Sequence, residues 1–182
     1  TVTSSVSAVL NCTATSVNAN ATTATTPVSY NWTGPGITSA ANISIITINQ
    51  PGTYNYTVTN TSNGCYKTNS VVVFQDITQP TVTSGVSAVL NCTLTSVNVN
   101  ATTTTTPVSY NWSGTGISSA TTFSTISVTQ PGVFNYTVTN SNNGCKATGT
   151  VSVTQNITAP TVTATVSGVI NCTATSVNAN AT

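Results

Sequence analysis

The chain has 182 residues with two lysines, one aspartate and no arginine, glutamate or histidine, so only 2% of it is charged, against ~25% in an ordinary globular protein. General acid–base catalysis, metal binding by carboxylate or imidazole, and recognition of nucleic acid by a basic patch all need side chains that are nearly missing; neither an active site nor a cofactor is expected. The polar residues are instead uncharged, with 43 Thr, 22 Ser and 22 Asn, and the 38% hydrophobic fraction is rich in the β-branched residues that favour strands.

Apolar and polar residues alternate with period two, the pattern of half-buried strands. In chain order the predicted elements are strands over residues 2–10, 14–21 and 28–33, a short one near Ile37, and strands over 43–48, 52–60 and 66–77. The clearest is 52–60, in which Tyr54, Tyr56 and Val58 alternate with Thr53, Asn55, Thr57 and Thr59. Turn chemistry separates them: Gly34-Pro35-Gly36, Gln50-Pro51-Gly52, and the hairpin dipeptide Asn63-Gly64.

The whole set then recurs. Residues 81–160 align with 1–80 without a gap and with 54 of 80 positions identical, and residues 161–182 start a third copy with 18 of 22 identical to the first. Such a period is too long for one coil of a solenoid and suits one small β-domain per copy. The expected organisation is an immunoglobulin-like repeat at 1–80, a second at 81–160, and the first two strands of a third at 161–182. Six to seven short strands per repeat, separated by turns, predict an all-β fold of tandem immunoglobulin-like β-sandwiches. Two strands cannot make a sandwich alone. The expectation is that the chain continues in a fibre; strand addition to a neighbouring molecule is the other route. The longest apolar run, residues 71–74, is far short of the ~20 residues of a membrane-spanning helix, so no membrane span is expected in this segment.

Cys12 and Cys65 of the first copy recur as Cys92 and Cys145, each pair 53 residues apart, and Cys172 opens the third copy. Without histidine or a Cys-x-x-Cys pair, zinc is not indicated. The spacing predicts one disulfide inside each repeat, Cys12 with Cys65 and Cys92 with Cys145, while Cys172 pairs beyond the segment. A staple at one end of the sandwich is expected, because Cys12 precedes its strand and Cys65 follows a hairpin turn. Disulfides of this kind imply an extracellular or cell-surface location. Trp32 and Trp112, between the cysteines of each copy, are the expected centres of two cores.

The succession Asn-Cys-Thr, Tyr-Asn-Trp-Thr-Gly-Pro-Gly, Gln-Pro-Gly-Thr-Tyr-Asn-Tyr-Thr-Val-Thr-Asn, Asn-Gly-Cys and Thr-Gln-Pro-Thr-Val-Thr resembles the tandem immunoglobulin-like or polycystic-kidney-disease-like repeats of large secreted surface proteins and adhesins of Bacteroidota. The resemblance covers the whole chain. It implies a stalk or adhesive role and brings no common active site.

Thirteen Asn-x-Ser/Thr sequons occur, at Asn11, Asn20, Asn31, Asn42, Asn55, Asn60, Asn91, Asn100, Asn111, Asn135, Asn156, Asn171 and Asn180, each a candidate for a covalent glycan. Asn20, Asn31 and Asn55 alternate with the apolar residues of their strands and should face solvent. The threonine runs ending at Pro27 and Pro107 are candidates for O-linked sugar. Such a coat would shield a surface that has little charge to keep its strand edges apart. Asp76 is replaced by Asn156 in the second copy, and Lys67 and Lys146 occupy different positions, so no charge belongs to a repeated function. A Lys-to-Asn isopeptide bond, as in some Gram-positive pilins, needs a nearby acid that is lacking here.

These features point to a structural protein, a stiff extracellular stalk or fibril of tandem domains, glycosylated, whose partners are copies of itself or neighbouring repeats of a longer chain. The alternative is an adhesive module that recognises cell-surface glycans or a partner cell through its inter-strand loops. Nucleic acid is not an expected partner.

Overall fold

In the computed structural model, which describes all 182 residues, the chain is built of strands, and no helix is long and apolar enough to cross a membrane. The first repeat contains β1 (Val2–Val6), β2 (Leu10–Asn11), β3 (Val17–Thr23), β4 (Val28–Thr33), β5 (Ile45–Ile48), β6 (Gly52–Asn60), β7 (Tyr66–Val73) and β8 (Gln75–Asp76). The second copies it as β9 (Val82–Val86), β10 (Leu90–Asn91), β11 (Val97–Thr103), β12 (Val108–Ser113), β13 (Thr125–Val128), β14 (Gly132–Asn140), β15 (Lys146–Val153) and β16 (Gln155–Asn156). Residues 161–182 add β17 (Ala164–Val166) and β18 (Ala179–Ala181), an antiparallel pair.

Each repeat is a sandwich of two three-stranded antiparallel sheets, β1-β3-β5 facing β4-β6-β7 and likewise β9-β11-β13 facing β12-β14-β15. This is the all-β, immunoglobulin-like architecture. Two predicted strands are each divided in two. The chain leaves β1 after Val6, and Leu10–Asn11 forms β2, which pairs in parallel with β8 as a separate two-stranded sheet. Strand 66–77 is interrupted at Phe74 on the same account: Phe74 O accepts the Leu10 N–H at 3.0 Å, and Leu10 is buried beneath. The short element near Ile37 is a single bridge to Ile48.

The alternation read from the sequence is the inside–outside alternation of the sheets. Val17, Ala19, Ala21, Trp32, Ile46, Ile48, Tyr54, Tyr56 and Val58 turn inward in the first repeat, and their counterparts form a separate cluster in the second. Trp32 is 2% and Trp112 3% exposed. Their indole N–H groups are not stranded in the apolar interior, because each donates at 3.0 Å to a backbone carbonyl, Ile43 O or Phe123 O, as a buried indole requires. Trp32 packs on Tyr56 with ring centroids 4.7 Å apart, and Trp112 on Tyr136 at 5.3 Å. Gly34 lies under the Tyr54 ring, where an added Cβ would meet Cδ1 at 2.4 Å; only glycine lets the loop close over that aromatic.

Candidate functional site: the joint between the repeats

The two ends of a sandwich carry different turns. β6 and β7 run antiparallel with Thr59 opposite Tyr66 at one end and Gly52 opposite Val73 at the other. The hairpin turn 61–65, with Cys65, therefore sits at the first end. Cys12 follows β2, whose Asn11 is opposite Asp76 beyond Val73, and so lies at the second end. A nine-residue strand at ~3.3 Å per residue separates them by roughly 25–30 Å, whereas a disulfide needs Cα atoms within about 7 Å.

The expected pairing inside each repeat is therefore wrong. The bond formed is Cys12 to Cys145, across the repeats, with a Cα–Cα distance of 5.0 Å and 133 residues between the partners. Cys65 and Cys92, expected to be bonded within their own repeats, are free and exposed, as is Cys172. The staple expected at one end of each sandwich does not form, because its two cysteines lie at opposite ends; the bond instead fastens one sandwich to the next.

Two turns meet at this joint. On the first repeat, the Asn11 carboxamide oxygen accepts from the Thr13 N–H at 2.9 Å, the Thr13 hydroxyl at 2.8 Å and the Ala14 N–H at 2.7 Å, which shapes Asn-Cys-Thr into a tight turn carrying Cys12 at its tip. On the second repeat, Asn143 Oδ1 accepts from the Cys145 N–H at 3.0 Å across Gly144, whose φ of 70° suits glycine. The turns lock together through more than the sulfurs. Cys12 N–H donates to Asn143 O at 3.1 Å. Asn143 Nδ2 donates to Asp76 Oδ1 and to Thr78 O, both at 3.0 Å. Cys145 is fully buried, Asn143 is 2% exposed, and Pro80 is buried as well.

Asp76, the chain's one carboxylate, thus lies in the joint. Its pKa is held below the usual range, first by the Thr78 N–H and then by the Asn143 amide and the Thr78 hydroxyl. The joint is held by a covalent bond, by a buried asparagine that bridges to both the linker carbonyl and a carboxylate, and by a linker that ends in proline, whose φ is restricted.

The sequons fall into groups. Asn31, Asn42, Asn55, Asn100, Asn111, Asn135, Asn156, Asn171 and Asn180 are exposed. Asn11, Asn20, Asn60 and Asn91 are half-buried. Asn20 departs from its expected place in solvent: its Oδ1 is covered and has no hydrogen-bond partner, since Ser5 and Ile45 flank it where Gly85 and Thr125 flank the exposed Asn100. Tertiary pairing also brings sequons together. Asn31 is opposite Thr57 and Asn55 is opposite Thr33, so the asparagine of each sequon faces the threonine of the other on the outer face of the β4-β6-β7 sheet. Asn111 and Asn135 repeat the arrangement. Lys67 and Lys146 are exposed, each at a strand start.

No curated protein matches the chain in sequence. Among solved structures it is similar to murine CEACAM1b, with 13% identity over 79% of this chain and 93% of that one and a TM-score of 0.35. It is similar also to the amphioxus IgVJ-C2 molecule (12% identity, 84% and 96%, TM-score 0.30) and to the titin domains z1z2 in complex with telethonin (16%, 79% and 88%, TM-score 0.28). The family described as FctA, the Spy0128-like isopeptide containing domain, matches residues 88–181. That stretch runs from just before β10 into β18 and holds Cys92, Cys145 and Cys172, with Lys146 as its one lysine and no carboxylate. Since the match takes in more than half of the chain, the protein belongs to the FctA family of Spy0128-like isopeptide containing domains.

Proposed function

We propose that this chain is a length of extracellular shaft, in which each repeat is one domain and the joint between domains carries tension and resists bending. The observation that carries this reading is the Cys12–Cys145 bond. A disulfide within a domain protects that domain; one between domains transmits force past the linker. Asn143 and Pro80 set the angle at which it does so. Membership of the FctA family supports the same reading, as does the resemblance to the tandem repeats of secreted Bacteroidota surface proteins.

Covalent sugar on the exposed sequons completes the proposal. Asn31, Asn55, Asn111 and Asn135 are exposed on sheet faces, where glycans would keep adjacent shafts apart. Electron microscopy and small-angle X-ray scattering with and without reductant test the mechanical part. The unreduced protein is expected to be a rod with one narrow inter-repeat angle, and reduction is expected to broaden that angle while both sandwiches stay folded. Equal flexibility before and after reduction would refute it. Intact mass before and after glycosidase tests the coat, and a mass equal to the bare 18.4 kDa polypeptide would remove it.

A further inference from the structure

One joint is closed in this chain, and both of its halves occur a second time with nothing against them. The receiving half is the hairpin turn. In the first repeat it has the same internal bonds as in the second: Asn60 N–H to Cys65 O at 2.9 Å, Gly64 N–H to Asn60 O at 2.9 Å, and Cys65 N–H to Asn63 Oδ1 at 3.0 Å, against 2.9, 2.8 and 3.0 Å around Cys145. The turn is thus preformed, yet its surroundings differ. Asn63 and Cys65 are exposed where Asn143 and Cys145 are buried. An added Cβ on Gly64 would meet nothing within 4 Å, whereas one on Gly144 would strike Thr13 of the preceding repeat. Beside the turn lies an open groove of about 530 Å³ whose ten lining residues include Val2, Val28, Val58, Cys65, Tyr66 and the cationic Lys67.

The inserting half is also duplicated. Asn91 Oδ1 accepts from Thr93 N–H, the Thr93 hydroxyl and Leu94 N–H at 2.9, 2.9 and 2.7 Å, reproducing the turn that presents Cys12. Asn156 Oδ1 accepts from Thr158 N–H at 3.3 Å, as Asp76 does from Thr78 at 3.1 Å. Pro160 is exposed where Pro80 is buried.

We propose that the groove and turn at Cys65 are a socket for the C-terminal end of another copy of the repeat, and that Cys65 is bonded there to that copy's Asn-Cys-Thr cysteine. Cys92, with Asn156, Thr158 and Pro160, is the matching plug for the hairpin turn of a following copy. The pairing rule is that each Asn-Cys-Thr cysteine joins the Asn-Gly-Cys cysteine one repeat further along. Plug and socket are different surfaces, so their union does not close on itself as a twofold dimer would and instead propagates as a linear array. The proposal deepens the shaft reading and rests on it. In the closing step two S–H bonds break and one S–S bond forms. The two electrons and the two protons pass to a small-molecule disulfide oxidant, whose own S–S bond breaks and which leaves as two thiols.

Peptide mapping of the unreduced protein, after free thiols are capped with iodoacetamide, tests this directly. The three Asn-Cys-Thr peptides differ in sequence, with Leu10 and Ala14 around Cys12, Leu90 and Leu94 around Cys92, and Ile170 and Ala174 around Cys172. The expected result is Cys145 linked to Cys12, and Cys65 linked to an Asn-Cys-Thr peptide of another copy. A capped Cys65, a Cys65–Cys12 link within one repeat, or a link between two Asn-Gly-Cys peptides overturns the proposal. A capped Cys65 beside an intact Cys12–Cys145 bond and a rod in micrographs would sink the open socket alone and leave the shaft standing.

Discussion

Replacing Gly144 by alanine, with Gly64 replaced in parallel, measures what the joint contributes. The two glycines hold the same place in two copies of one turn, at φ 70° and 74°. An alanine in that conformation costs about 1–2 kcal/mol at either position. Beyond that shared cost the sites differ. At Gly64 the new methyl meets open space, but at Gly144 it lies 2.3 Å from Thr13 Cγ2, roughly 1 Å or more inside ordinary contact. Thr13 is not free to turn aside, because its hydroxyl and its N–H are both bonded to Asn11 Oδ1. Overpacking of this kind costs about 1–3 kcal/mol more, and here it falls on the contact between repeats. Calorimetry and a thiol count after refolding at low concentration in a glutathione buffer read the outcome. Gly64→Ala should lower the melting temperature by about 4–8 °C per kcal/mol lost and leave three free thiols, as in the parent chain. Gly144→Ala should lose more stability and leave a fraction of molecules with Cys12 and Cys145 unbonded. Equal melting shifts with equal thiol counts would refute the reasoning.

Trp32→Phe and Trp112→Phe each remove an indole N–H from a backbone carbonyl, for about 1–3 kcal/mol; since the two cores are separate clusters, each should destabilise its own repeat, and equal loss in both would contradict this. Tyr54→Phe removes a hydroxyl whose single proton is shared between Pro35 O and Gln50 O, at an expected cost of about 1 kcal/mol by urea denaturation; a loss of several kcal/mol would be inconsistent, because Phe134 fills the same place in the second repeat. The pKa of Asp76 is lowered, so its stabilising contribution is present above the unfolded carboxylate value of about 4 and is lost as the pH falls through the lower folded value. The pKa of Tyr54 is raised by burial, so its contribution is complete below about pH 10 and is lost as the pH climbs through the folded value. Between about pH 5 and 9 the urea midpoint should be flat; a marked slope there would count against it, and Asp76→Asn should erase the acid limb.

Much of the fold was legible because alternation with period two is a local property. Tyr54, Tyr56 and Val58 turn inward as their spacing requires, and Trp32 sits where a large aromatic between turns has to go. The strand breaks at residues 7–9 and at Phe74 were not legible, since they follow from the pairing of Leu10 with Gln75 and Asn11 with Asp76, partners far apart in sequence. The half-burial of Asn20 depends on Ser5 and Ile45, which lie on other strands.

The cysteines show the same division most sharply. Their number, the turns that hold them and their place at an end of a sandwich follow from Asn-Cys-Thr and Asn-Gly-Cys, which are short-range motifs. So does the near absence of charge, which leaves Asp76 as the one carboxylate in the chain. Which cysteine meets which is decided by the tertiary structure. Strand direction puts Cys12 and Cys65 at opposite ends of one domain, and end-to-end stacking brings Cys12 to Cys145 of the next, beside Asp76. A spacing of 53 residues records distance along the chain; only the path of the strands turns it into distance in space.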